Sequence, residues 1–224
     1  MAAKTSFLDL NDFINITNKE ISYFLGFFWS DGYIDKNSIC IEIKDTDGEE
    51  IFKILNSFGK WNTSTRIRNE KYKLIRIYAS NIDIVKYLKE NDFDKKSFVS
   101  PTKILSNIPD ELKKYFYRGL IDGDGCFSSK LKNTKKNRID NRSYFSLTER
   151  IDYEWSGIFK IFDSLDIKYK FTQKERIRGN SSYIVISSKE EIFKLGNYIY
   201  SDYDNIGLTR KYLKYKEIVD RIIY

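Results

Sequence analysis

The same order of elements reads twice along this 224-residue chain. An internal duplication constrains a fold more tightly than composition does, because each copy must be one unit of a repeated architecture. In the first copy, KEISYFLGFFWSD at 19–31 is apolar on nearly every face, the pattern of a buried helix. GYIDKNSICIEIK then predicts two short strands, with Ile39, Ile41 and Ile43 alternating, and Asp47 opens an amphipathic helix, DGEEIFKILNSFG. Two further strands, NTSTRIRN and KLIRIYAS, flank a turn at 69–71, and a helix starts at Asn81. The second copy runs in the same order: ELKKYFYRGLIDGD stops at Gly125, strands follow at 126–132 and 142–148, a helix at 152–165, strands at 168–178 and 182–187, and a helix from Lys189. The word IFKI recurs at 51–54 and 158–161, at equivalent places. Both prolines, Pro101 and Pro109, fall within 97–109, which predicts a linker between halves 1–96 and 110–224. LTRKYLKYKEIVDRIIY reads as an added amphipathic helix closing the second half.

The two buried helices share more than apolarity. Small residues sit four apart on each, Gly26 and Ser30 in one, Gly119 and Gly123 in the other, forming flat stripes through which two backbones can approach. In each, an aspartate precedes the glycine that ends the helix: Asp31 before Gly32 and Asp124 before Gly125. Helices packed through those stripes bring both carboxylates together at the negative ends of two helix dipoles, an arrangement that requires a cation. The chain contains no histidine, which excludes histidine triads, histidine zinc sites and histidine bases. Its two cysteines, Cys40 and Cys126, have no C-x-x-C spacing, which argues against a disulfide framework or cysteine zinc site and fits a reducing, intracellular setting. A hard divalent ion such as Mg²⁺, with its preference for carboxylate, carbonyl and water oxygens, suits the aspartates, and metal-assisted phosphodiester hydrolysis suits the ion.

With FLGFFWSDG at 24–32 and YRGLIDGDG at 117–125, the chain resembles a monomeric, two-motif LAGLIDADG homing endonuclease. The second motif is close to the family signature; the first has Trp29 where the pattern carries its earlier aspartate, matched in the second by Asp122. The resemblance implies an α+β protein of two pseudo-symmetric αββαββα halves, each with a four-stranded antiparallel sheet, the sheets forming a saddle over double-stranded DNA. It implies Mg²⁺, with Mn²⁺ as a substitute, held by Asp31 and Asp124 together with Ser30 and Gly123. It also implies cleavage of both strands across the minor groove to leave short 3′ overhangs. The family places a basic residue near the metals after the last strand of each half. FDKKSF at 93–98 and GLTRKY at 207–212 match that place, so Lys96 and Lys211 are the candidates, with Lys95 and Arg210 as alternatives. A water-positioning polar residue at the end of each half's second strand falls on Lys44 and Glu149.

Strands that read a DNA groove should show basic or polar residues at alternate positions. Along 168–178, Lys168, Lys170, Thr172, Lys174, Arg176 and Arg178 share one face, and Tyr169, Phe171 and Ile177 the other. In the first half Arg66, Arg68 and Arg76 take the matching part, with Lys36 beside them. The loop expected at 130–142 carries six basic residues against one acid, among them Lys130, Lys132, Arg138 and Arg142, which suits phosphate contact. Two other readings stand beside the nuclease. Glu42-Ile43-Lys44, eleven residues after Asp31, matches the short D…E-x-K pattern of restriction-type nucleases. A LAGLIDADG-derived binding protein, such as an intron RNA maturase or a DNA-binding regulator, would use the same saddle without cleavage. The formal charge of +7 suits a nucleic-acid partner, and no run of about 18 apolar residues predicts a membrane span. The expectation is a soluble, intracellular monomer from bacterial or phage cytoplasm or an organelle, acting on an asymmetric target.

Overall fold

A computed structural model of the chain describes residues 9–68, 72–133, 139–175 and 179–220. The first copy forms α1 (Leu10–Asn15), α2 (Lys19–Asp31), β1 (Gly32–Asp35), β2 (Ser38–Lys44), α3 (Asp45–Asn56), β3 (Asn62–Arg68), β4 (Tyr72–Ser80) and α4 (Ile82–Glu90). α5 (Thr102–Asn107) follows. The second copy forms α6 (Lys113–Asp124), β5 (Cys126–Asn133), β6 (Ile139–Arg150), α7 (Ser156–Ser164), β7 (Lys170–Lys174), β8 (Ser181–Ile186), α8 (Lys189–Tyr200) and α9 (Thr209–Asp220). Side-chain caps start several of these. The Asn18 carboxamide accepts from Ile21 N at 2.9 Å to open α2, and Asn81 accepts from Asp83 N and Ile84 N to open α4.

Each copy builds its own antiparallel sheet, in the orders β1-β2-β4-β3 and β5-β6-β8-β7. The α+β architecture expected from the duplication is therefore present, one sheet per copy. Among the described residues the chain divides into two compact units. The first lies within Met1–Lys96, Pro101–Gly123 and Ile206–Leu208, the second within Ser97–Ser100, Asp124–Asn205 and Thr209–Tyr224. Within the first unit, α6 up to Gly123 packs on α2. In the first unit, buried residues run without a break from Ile21 to Trp29, which explains a helix apolar all round. Phe24 alone has Phe13, Phe28, Phe58 and Trp61 as ring neighbours at 5.2–5.8 Å. In the second unit, Phe145, Leu147, Ile184 and Ile186 form the buried sheet face, with Ile158, Phe162, Ile192 and Leu195 supplied by α7 and α8.

Several local expectations change. α1 was not legible as a periodic segment; Asp9 opens it, accepting from Asn11 N and Asp12 N. The proposed linker contains α5, with Pro101 at its N-cap, where a missing N–H costs nothing. The basic loop at 130–142 is mostly strand, since β5 and β6 pair from Cys126↔Ser146 out to Asn133↔Ile139. Of the strand expected at 168–178, Lys170–Lys174 is strand, paired with β8 from Lys170↔Val185 to Lys174↔Ser181, and 176–178 lie outside the described residues. The Lys168 N–H instead donates to Glu191 Oε2 at 2.8 Å. α7 begins at Ser156 and not 152, because the Glu154 N–H is taken by Phe98 O and its carboxylate accepts from Ser156 N. Among the described residues, no helix is long and apolar enough to cross a membrane.

Candidate active site

α2 and α6 meet at backbone contact. A Cβ built on Gly26 would lie 1.8 Å from Phe116 O and 3.0 Å from Leu120 N; one on Gly119 would lie 2.1 Å from Tyr23 O and 2.6 Å from Phe27 N. One turn further, a Cβ on Gly123 would sit 1.8 Å from Ser30 Oγ and 3.3 Å from Asp31 Oδ2. A side chain larger than hydrogen at Gly26 or Gly119 meets the opposite backbone and holds the helices apart. The structure thus brings Gly26, Ser30, Gly119 and Gly123 into one seam, with the Asp31 carboxylate at its C-terminal end. Asp31 is the last residue of α2 and exposed, and Asp124 is the last residue of α6 and exposed. The glycine after Asp31 is not a left-handed cap: Gly32 has φ −81°, and its missing Cβ makes room for the Phe28 ring, 2.1 Å from where that atom would be.

A lysine closes the end of each motif helix. Lys96 Nζ donates to Trp29 O at 2.7 Å and Ser30 O at 2.6 Å, and Lys211 Nζ donates to Gly125 O. An ammonium on the terminal carbonyls is favoured by the helix dipole and satisfies acceptors that lack an intrahelical donor. Lys95, by contrast, is exposed and pairs with Asp92 at 3.8 Å, and Arg210 is exposed. The segments carrying the two lysines are anchored by different chemistry. Trp29 stacks edge-on with Phe93 at 4.9 Å, three residues before Lys96. Asp122 is fully buried and accepts from the Leu208 N–H at 2.7 Å, three residues before Lys211, and from Tyr23 Oη at 2.9 Å. Sequence reasoning noted Asp122 only as a motif match; its partner in the loop before α9 is 86 residues away and leaves no local signal.

Solved structures share this architecture across nearly the whole chain. The LAGLIDADG meganuclease I-AabMI bound to uncleaved DNA is 14% identical, covers 92% of this chain and 91% of its own, and superposes with a TM-score of 0.59. The I-SmaMI LAGLIDADG homing endonuclease bound to cleaved DNA is 13% identical at 92% and 89% coverage with a TM-score of 0.59. The I-LtrWI LAGLIDADG homing endonuclease bound to target DNA is 14% identical at 95% and 91% coverage with a TM-score of 0.58. This is the LAGLIDADG homing-endonuclease fold. No family sequence profile and no curated protein sequence matches the chain.

The LAGLIDADG fold makes the remaining candidates comparable through their strand registers. In the first sheet Tyr33 pairs with Cys40; in the second, Cys126, which follows Gly125 as Tyr33 follows Gly32, pairs with Ser146. Cys40 therefore corresponds to Ser146, Glu42 to Thr148, and Lys44 to Arg150. Glu149 falls one residue short, on the face opposite that of Thr148 and Arg150, so Lys44 and Glu149 are not equivalent; a one-residue offset in a strand reverses the face. Lys44 is exposed at the end of β2, whereas Arg150 pairs with Asp152 at 3.0 Å and lies over the Phe98 ring at 4.5 Å.

The basic strand residues divide into three groups. Arg66 and Arg68 on β3, Lys170 and Lys174 on β7, Arg142 on β6 and Lys168 just before β7 are exposed, as is Lys36 in the two-residue β1–β2 turn at φ +53°. Lys174 lies over the Tyr183 ring at 5.1 Å and, with Arg142, Tyr144, Ser146, Thr148 and Tyr183, lines a concavity of about 860 Å³ on the second sheet. Arg76 is the exception, folded across its own sheet onto Asp35 at 2.8 Å. Arg138, Arg176 and Arg178 lie outside the described residues, and for Lys130 and Lys132 only the backbone is described, Lys130 pairing with Arg142.

Among the described residues no group of three or more His, Cys, Asp or Glu side chains is gathered for a metal ion. A carboxylate with carbonyl and water oxygens is the all-oxygen donor chemistry that Mg²⁺ or Mn²⁺ prefers. Of the backbone candidates, Ser30 O already accepts from Lys96 and retains one lone pair.

Proposed function

We propose that this chain is a site-specific double-strand DNA endonuclease of the LAGLIDADG type, dependent on a divalent metal and acting as a monomer on a long asymmetric target. The observation that carries the reading is the glycine-to-backbone seam between α2 and α6, which serves to deliver the ends of two aspartate-terminated helices. At the acidic end Gly123 leaves room for the Ser30 side chain beside Asp31. The DNA-bound relatives of the same fold support duplex DNA as the partner.

In this reading Asp31 and Asp124 hold the ion, with the carbonyls of Ser30 and Gly123 as further oxygens. When bound, a divalent ion supplies Lewis acidity that activates water and stabilises the leaving oxygen of the phosphodiester. Lys96 and Lys211 bring an ammonium to the end of each motif helix, where each can donate to a phosphate oxygen as charge develops. The exposed arginines and lysines of β3, β6 and β7 carry backbone affinity, and the hydroxyls of the second sheet face base edges. Cleavage of both strands leaves short 3′ overhangs.

The test is selection of cut sites from a random duplex library in Mg²⁺, with binding measured in Ca²⁺. Asp31→Asn and Asp124→Asn each abolish cutting and leave Ca²⁺-supported binding within about threefold, since one lost charge among many phosphate contacts is a small change. Undiminished cutting by both variants refutes the site. Sequence-selective binding without any cleavage by the unaltered chain favours the DNA-binding regulator, and selective binding of intron RNA favours the maturase.

A further inference from the structure

Arg118, in the middle of α6, is the largest fully buried side chain among the described residues, and it takes no part in the chemistry proposed for the motif aspartates and lysines. Burying a guanidinium is costly unless its donors are met, and this one is directed at backbone. Its Nη1 donates to Ile206 O at 2.9 Å, and its Cζ lies 4.7 Å from the centre of the Tyr115 ring on the same helix. One turn on, the fully buried Asp122 carboxylate accepts from Leu208 N at 2.7 Å and from Tyr23 Oη at 2.9 Å. Residues i and i+4 of a helix share a face, so α6 grips Ile206–Leu208 at both ends, by one carbonyl and one N–H. Asn205 and Gly207, at φ +67° and +138°, are residue types that tolerate left-handed backbone, and the two buried bonds fix the segment they shape.

The first copy places its lysine by other means. With Gly26 matching Gly119, Arg118 corresponds to Leu25 and Asp122 to Trp29, both buried apolar side chains. There the segment before Lys96 follows α4 directly and is fixed by backbone bonds at that helix end: Phe93 N donates to Leu88 O at 3.1 Å and Lys95 N to Asp92 O at 2.9 Å. In the second copy α8 ends at Tyr200, well before Lys211, and the last residues of the intervening segment take their hold from α6. An apolar pair fills space as Arg118 and Asp122 do, but hydrogen bonds also fix the direction and position of the groups they join.

Resting on the nuclease reading above, we infer that Arg118 is a positioning residue for Lys211. With Asp122 it sets Ile206–Leu208, so that the ammonium three residues on is held at Gly125 O, in the residue that follows Asp124. A misplacement of about 1 Å in such a group costs up to roughly 100-fold in rate.

Cleavage of each strand of a selected duplex is followed separately, under single turnover, in the unaltered chain, Lys211→Met, Arg118→Met, their double variant and Gly207→Ala. A single lysine serves one scissile phosphate, so Lys211→Met slows one strand more than the other and marks the strand it serves. Arg118→Met slows that same strand by roughly 10- to 100-fold, with the other strand and Ca²⁺-supported binding within about threefold. In the Lys211→Met background Arg118→Met adds little, because it acts through a group already removed. Gly207→Ala strains the φ of +138° without altering α6; it gives the same strand bias and carries the readout where Arg118→Met does not fold. A merely structural arginine slows both strands alike and multiplies with Lys211→Met, and either result overturns this inference while leaving the nuclease reading intact. Undiminished cleavage of both strands by Lys211→Met removes the lysine from the chemistry and overturns the inference with it. An unaltered chain that cuts no duplex overturns the nuclease reading itself.

Discussion

Gly26→Ala introduces a methyl 1.8 Å from Phe116 O. Ordinary van der Waals contact begins near 3.4 Å, so α2 and α6 must separate by about 1.6 Å along that direction, 3.4 − 1.8. The obstacle is backbone on the opposite helix, which cannot rotate away as a side chain can. Separation of that size loosens every contact along the seam, including Gly119 against Tyr23 O and Gly123 against Ser30 Oγ. Overpacking of this kind costs roughly 1–3 kcal/mol at side-chain contacts, and rigid backbone places the seam at or above the top of that range, about 3–4 kcal/mol. Removing a helical glycine returns about 1 kcal/mol of propensity, leaving a net loss of roughly 2–3 kcal/mol. Urea unfolding at constant m-value measures it. Gly26→Ala and Gly119→Ala should also be strongly non-additive, because the separation forced by one already makes room for the other. A Gly26→Ala protein as stable as the parent, or more so, means that helix propensity outweighs the clash and that the two backbones are not in contact.

Other expectations are shorter to state. Lys96→Met and Lys211→Met should each lower the cleavage rate about 100-fold with little change in Ca²⁺-supported binding, whereas a purely structural lysine would shift only the unfolding temperature. Asp122→Ala should cost roughly 2–4 kcal/mol in urea unfolding, since it strands the buried Leu208 N–H and deprives Tyr23 Oη of its acceptor; Asp122→Asn, which keeps a carboxamide oxygen, should cost less. Burial, with Tyr212 and Asp220 nearby, pushes the Tyr215 phenol up to about 12 from an ordinary 10.0. The folded state thus holds a proton that the unfolded chain releases, so this contribution is complete below pH 10 and is lost as pH rises towards 12. Stability measured across that window should fall less in Tyr215→Phe than in the parent; an identical fall in both refutes the assignment.

Much of the fold is readable because its signals are local. The unbroken apolar run of α2 required a helix enclosed on all sides, and the Gly26/Ser30 and Gly119/Gly123 spacing required a close partner. Elements without periodicity were invisible: α1 owes its start to the Asp9 side chain, and α5 stands in a stretch whose prolines signalled only interruption. Strand ends were read too long or too short where the ladder decides them. Within 168–178, the strand Lys170–Lys174 is fixed by its pairing with β8, and the Lys168 N–H goes to Glu191.

The candidate site divides in the same way. Asp31, Asp124 and the helices that end in them follow from the sequence, because helical spacing and a repeated motif are properties of neighbouring residues. The tertiary structure alone shows that Asp122 holds the loop before Lys211, that Trp29 does comparable work through Phe93, and that Arg76 turns to Asp35 while opposed to Glu42. It also moves the counterpart of Lys44 from Glu149 to Arg150. Two physical reasons cover these, one for the strand residues Arg76 and Lys44 and one for the distant partners. Alternation assigns residues to two faces without saying which partner lies across the ladder, and a one-residue offset exchanges the faces. Partners 41–86 residues apart are chosen by packing and hydrogen bonding once the chain has folded.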